Sequence, residues 1–242
     1  MESNTLQREA DKTQEQGHGE ASIPGQLDPQ TFLHDLCKRN RQFHEDPLGQ
    51  GALRDLQQTF PHSWLYVAEL LQNAVDERAR CIFIVIEKDG TLVFEHDGNP
   101  FDEENVKALC ARGVSSKGAG TVGFMGIGFK AVFRSFERVE VSSGPWRFSL
   151  TVQAVKGEEF GDLQRDWLGA VLPDWDSETA PPSAGMTCRF VLSRRLPALP
   201  PITNDLERLL GKDSSLLALL AWRGIAKLSW NDEQWLLGLV SK

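Results

Sequence analysis

The stretch WLYVAELLQNAVDERA, residues 64–79, constrains the chain more than any other. Val67, Leu70, Leu71, Ala74 and Val75 recur at the spacing that gathers apolar side chains on one side of a helix. Such a helix needs an apolar surface to lie on, and the next residues supply one. CIFIVIE reads as a buried strand, Asp89-Gly90 as a tight turn, and TLVFEH as the returning strand of a hairpin. DEENVKALC predicts a helix with Asp102 as N-cap and acids in its first turn. FKAVFRSF predicts another helix, and RVEVSS, PWRFSLTVQAV and MTCRFVLS predict further strands. That order predicts an α/β fold, an α+β two-layer sandwich with a mixed sheet covered by helices on one face, rather than a regular βαβ alternation.

Around this middle, TFLHDLCKRNRQFHED predicts a helix with Thr31 as N-cap, DPLGQG a break, and ALRDLQQTF a second short helix. Residues 1–30 are almost wholly polar with scattered Gly and Pro, and are expected to form a disordered tail. Residues 31–195 form the expected main domain, with an irregular insertion over 156–184. LPALPPIT reads as a proline-rich joint, and residues 196–242 as a helix-hairpin extension, either an unusual cap or the start of a further domain.

Apolar residues make up 40% of the 242 and charged ones 25%, an ordinary globular balance. The net charge of -8 argues against a non-specific nucleic-acid or anionic-membrane surface, because phosphate would repel the average surface. Cys37, Cys81, Cys110 and Cys188 lie far apart, with no metal-ligand spacing, and fit a reducing setting. There is no basic-then-apolar leader pattern and no apolar run near the roughly 18 residues that span a bilayer. The expectation is a cytoplasmic protein.

Two patterns can carry chemistry. Glu69, Asn73 and Asp76 are spaced by four and then three residues, so they share one stripe beside the apolar one. That stripe is either a solvated face or a pocket wall, with a carboxylate poised over a water and an amide oxygen to hold a hard divalent cation such as magnesium. The second pattern is GAGTVGFMGIG, residues 118–128, with five glycines in eleven positions. It is either a mobile surface loop or a phosphate cradle of bare amides opening onto a helix near Phe129. It is not a Walker A motif, since no GK[ST] ends it, nor a Rossmann fingerprint, since no strand leads into it. His34, His44 and His62 have no partner carboxylate at a telling spacing. His44-Glu45 is superficially like a sensor-kinase phosphoacceptor, but no long pair of dimerisation helices surrounds it.

Taken together, ELLQNAVDERA, a hairpin ending in HDGNPF, then GVSSK and GFMGIGFKAVF resemble the GHKL ATPase superfamily, most of all its sacsin-type and heat-shock-chaperone-type members, over residues 50–195. The resemblance implies a Bergerat fold that binds ATP and Mg2+, in which Glu69 is the general base and Asn73 the magnesium ligand. Asp76 matches a pocket acid. Gly123, Phe124, Met125, Gly126, Ile127, Gly128 and Phe129 match the phosphate loop, and Lys117 in the lid and Lys130 after the loop are candidate phosphate-reaching cations. The family usually reads the adenine amino group with an Asp; here His96 takes that position, followed by Asp97, Gly98 and, in place of a second glycine, Pro100. A neutral imidazole can accept one hydrogen bond from an exocyclic amine but brings no charge. Thr187 falls one residue late for the family's GT pair. The implied activity is slow, magnesium-assisted ATP hydrolysis driving a conformational switch. The alternatives are a nucleotide-binding module without hydrolysis and, further off, the ATP lobe of a histidine kinase. Implied partners are the nucleotide and a protein, or a second copy, met through the lid and the C-terminal extension.

Overall fold

A computed structural model describes residues 28–60, 62–111, 128–154, 165–195, 199–211, 215–230 and 233–236. Helix α1 (Pro29–Glu45) begins three residues earlier than the sequence suggests, because Pro29 occupies the first turn and Asp28 is the cap, its carboxylate accepting from Thr31 N at 2.9 Å. Thr31 is therefore inside the helix and is not its N-cap, and residues 28–30 belong to structure rather than to the tail. The same device repeats at once. Asp46 ends α1 and caps α2 (Pro47–Thr59), accepting from Leu48 N, so DPLGQG starts a helix instead of breaking one.

Helix α3 (Leu65–Asp76) buries Val67, Leu70, Leu71 and Ala74, as its periodicity predicts; Val75 is only half-buried, and Tyr66, outside the predicted set, is buried as well. Strands β1 (Cys81–Ile86) and β2 (Leu92–His96) form the expected hairpin. Helix α4 (Glu103–Leu109) carries Asp102 as N-cap in a reciprocal box with Asn105. The run after the glycine loop is helical but tighter than expected. Gly128–Arg134 is a 3-10 helix, and strand β3 (Phe136–Ser143) follows almost immediately, leaving no room for further α-turns.

Strands β4 (Trp146–Thr151), β7 (Asp174–Trp175) and β8 (Cys188–Arg195) join the main sheet, β8 between β2 and β3 and β7 at one end, while β5 (Gln153–Ala154) and β6 (Arg165–Asp166) pair separately. The insertion over 156–184 thus contains two short strands and a 3-10 turn at Trp167–Ala170 where its sequence shows no period. Among the described residues the main sheet has eight strands in the order β10-β9-β1-β2-β8-β3-β4-β7, where β9 is Lys227–Trp230 and β10 is Glu233–Leu236. Ile82, Ile84, Phe94, Phe190, Leu192, Val139, Val141, Phe148 and Leu150 alternate along it and form one core cluster with the apolar sides of α1 and α3. Among the described residues, no helix is long and apolar enough to cross a membrane.

The sheet does not stop where the main domain was expected to end. After helices α5 (Ile202–Leu210) and α6 (Ser215–Trp222), strand β9 (Lys227–Trp230) returns beside β1 in parallel, and β10 (Glu233–Leu236) pairs with β9. Leu206, Leu210, Leu220, Ile225 and Leu228 join the common core. A buried polar link adds to it: Tyr66 of α3 donates to Asp205 Oδ2 at 3.1 Å, and Arg195 Nη2 donates to the same oxygen at 3.0 Å. The boundary at residue 195 therefore does not divide the described fold. Arg195 and Asp205 side chains are only 10% and 7% exposed. Asp205→Ala should therefore lower unfolding free energy by about 3–5 kcal/mol by stranding a buried guanidinium, against about 1 kcal/mol for Tyr66→Phe. Urea denaturation checks both, and an unchanged midpoint for Asp205→Ala would detach the extension from the folding unit.

Candidate functional site

The acidic stripe and the exit of the glycine loop meet. A Cβ added to Gly128 would lie 1.8 Å from Glu69 Oε2, so the loop's last glycine rests directly against the carboxylate, and any side chain there would push the end of Glu69 aside. Glu69 is half-buried, and its pKa is raised by burial and, secondarily, by the charge of Asp76. One turn on, Asn73 is 4% exposed, and its Nδ2 has no hydrogen-bond partner among the described residues. An unpaired buried N–H donor is costly, so this position calls for a hydrogen-bond acceptor beside it. Asp76 accepts weakly from Gln72 at 3.4 Å and lies 3.8 Å from Arg223, which follows α6. The fold thus brings Arg223 beside the stripe, whereas Arg195 is spent on Asp205 and Pro200.

The hairpin end is arranged differently from the sequence expectation. Asp97 Oδ1 accepts from the backbone N–H groups of Arg80 and Cys81, both at 2.7 Å, so this carboxylate anchors the start of β1. Gly98 packs where a Cβ would meet Glu77 O at 2.6 Å, tying the hairpin to the end of α3. Thr187 donates its hydroxyl to the carbonyls of His96 and Gly98, closing the same corner. Its side chain is engaged with backbone rather than free for a base. Glu77, which no motif singled out, accepts from Asn105 and Asn99 there, and burial, then Asp102, raise its pKa.

His96 is wholly buried on the inner side of β2, its ring 6.3 Å from that of Phe190. Nδ1 accepts from Gly98 N–H at 3.2 Å, and burial lowers the pKa to about 4. The imidazole is therefore neutral with its proton on Nε2, a buried donor with no partner among the described residues. This reverses the expected role: the accepting nitrogen is already taken, and what His96 can offer a ligand is a donor.

Lys130 is a plain correction. Its side chain is wholly buried, and Nζ donates to the carbonyls of Leu109 and Ala170, so it cannot reach a phosphate. Phe129 likewise turns its ring into the core, 5.8 Å from Phe190, leaving only its backbone for a ligand. Lys117, Gly123, Phe124, Met125, Gly126 and Ile127 lie outside the described residues. Among the described residues no group of three His, Cys, Asp or Glu forms a metal cluster. A single amide ligand completed by waters and phosphates, the mode magnesium favours, fits Asn73.

Fold and site define a two-layer α/β domain whose sheet-packed helix presents an acid to the end of a glycine-rich loop. No family model matches the chain. Over 133 residues, 52% of the chain, it is 29% identical to Protein NO VEIN of Arabidopsis thaliana, and the match spans 4% of that protein. A solved structure, the N-terminal domain of a DNA repair protein, covers 68% of this chain and 46% of its own at 14% identity and a TM-score of 0.34. Nothing about the site rests on that second likeness.

The contact between Gly128 and Glu69 has a direct test. Gly128→Ala should be about 1 kcal/mol more costly in the wild type, where the Glu69 carboxylate must move aside, than in a Glu69→Ala background, where the obstruction is gone. Thermal unfolding of the four proteins in this cycle reads the difference. Equal costs in both backgrounds would mean the two residues do not touch.

Proposed function

We propose that this chain is a GHKL-type, Bergerat-fold ATP-binding domain that hydrolyses ATP slowly and works as a nucleotide-dependent switch. The observation that carries the reading is the seat of Gly128 against Glu69. It brings the end of an amide-rich loop, suited to phosphate, next to an acid whose surroundings make it a better base than a free carboxylate. The residues of the resemblance that the structure describes then take distinct roles. Glu69 accepts a proton from a water as the water oxygen bonds to the γ-phosphorus and the bond from that phosphorus to the β,γ-bridging oxygen breaks, giving ADP and phosphate. Loop amides, Gly128 included, face the charge that develops on the γ-oxygens. Magnesium, when bound through Asn73 Oδ1, supplies charge neutralisation to the β- and γ-phosphates. Asp76 acts on Glu69 through its charge.

A second reading, a nucleotide-binding module without turnover, is favoured by His96, because a neutral donor stands where the family places a carboxylate. Calorimetry with ATP and Mg2+ beside a phosphate-release assay separates the two, since binding without release supports the module. For the hydrolase, Glu69→Ala should lower kcat by about 10² to 10⁴ while ATP affinity stays within about threefold. The acid limb of the kcat profile should lie above the ordinary carboxylate range. Removing a negative neighbour lowers a carboxyl pKa, so Asp76→Asn should move that limb to lower pH. Turnover indifferent to Glu69 would remove the assigned base.

A further inference from the structure

Lys130 stands two residues beyond Gly128 on the same 3-10 helix, and the reaction just described gives it no part. Its ammonium is wholly buried, and neither of its hydrogen-bond partners is a carboxylate. Nζ donates to Leu109 O at 2.5 Å, at the end of α4, and to Ala170 O, at the end of the 3-10 turn Trp167–Ala170. Burial holds its pKa down at about 8. A methionine of similar length would fill the space without that penalty, so packing alone does not account for a lysine.

A neighbouring contact shows what is special about it. One residue further along each of the same two segments, Asn40 of α1 donates from Nδ2 to Cys110 O at 3.0 Å and to Val171 O at 2.7 Å. Two parallel staples therefore join the end of α4 to the turn before β7. The Asn40 staple is carried by α1 and binds two segments together. The Lys130 staple is carried by the helix that begins with Gly128, so it also fixes that helix against both. Phe129, next to Lys130, packs its ring on Phe190, and Gly128 before it lies against Glu69.

We propose that Lys130 is a positioning residue for phosphate release: by tying its helix to Leu109 O and Ala170 O it sets the distance between Gly128 and the Glu69 carboxylate. The proposal rests on the hydrolase reading of that site. Lys130→Met and Asn40→Leu each strand two buried carbonyls on the same pair of segments, which makes them matched controls. In the full chain with ATP and Mg2+, Lys130→Met should lower kcat by about 10- to 100-fold with KM within about threefold. Asn40→Leu should lower the melting temperature comparably while keeping kcat within about threefold. Equal kcat losses in the two variants, or none in Lys130→Met, would overturn the assignment and leave Lys130 a structural staple. Should Lys130→Met not fold, Lys130→Gln serves. Its amide is one bond shorter, so it must either drag the helix or abandon the carbonyls, and either way kcat should fall at least about tenfold. A folded Lys130→Gln with wild-type kcat refutes the role. Wild-type protein without turnover would sink the reading of the site itself, whereas wild-type turnover with equal losses in the two variants sinks only the role of Lys130.

Discussion

Helix α3 has to satisfy two environments at once. One side is committed to the sheet, where Tyr66, Val67, Leu70, Leu71 and Ala74 are almost completely buried; removing a large one of these would forfeit about 1.5–3 kcal/mol of burial and leave a cavity besides. The adjoining stripe carries Glu69, Asn73 and Asp76, and cannot turn into the core without burying charge. The helix is thereby fixed in rotation, and the acids inherit that rigidity. Because α3 meets β2 through Glu77, Gly98 and Asn99, and the 3-10 helix through Gly128, both flanking pieces of the candidate site are referenced to the same rigid body.

The extension strengthens this frame from the far end. Tyr66 opens the first turn of α3, three residues before Glu69, and its hydroxyl is held by Asp205, which Arg195 holds in turn. A strand added in parallel beside β1 closes what would otherwise be an exposed edge of the central hairpin. The C-terminal extension is therefore tied to the same helix that the candidate chemistry uses, one turn from the candidate base.

Around the hairpin end, polar groups that look interchangeable in sequence have separated into different jobs. Asp97 faces backbone donors and serves β1; His96, one residue earlier on a pleated strand, faces the core side, and its Nε2–H has no partner among the described residues. The alternation of a strand makes this division, since neighbouring side chains point to opposite sides. The proton position on His96 then follows from one backbone N–H, that of Gly98.

Much of the fold was legible because it depends on local pattern. The period of α3, the Asp89-Gly90 turn and the cap at Asp102 each specify their element without reference to the rest of the chain. The starts of α1 and α2 were also written locally, in Asp-Pro pairs at 28–29 and 46–47, though a reading that treats proline as a breaker misses them. Glu69 and Asn73 fell on one stripe for the same reason, spacing alone. The fate of Lys130, the task of Asp97 and the return of β9 beside β1 were not written locally, because each depends on carbonyls, amides or strand edges contributed by residues far away in the chain. The amino-acid order by itself determined which surfaces are apolar and where helices and turns begin. Only the tertiary structure decided which backbone groups each buried polar side chain must satisfy, since an unpaired buried group is too costly to leave and its partner is chosen by proximity in space.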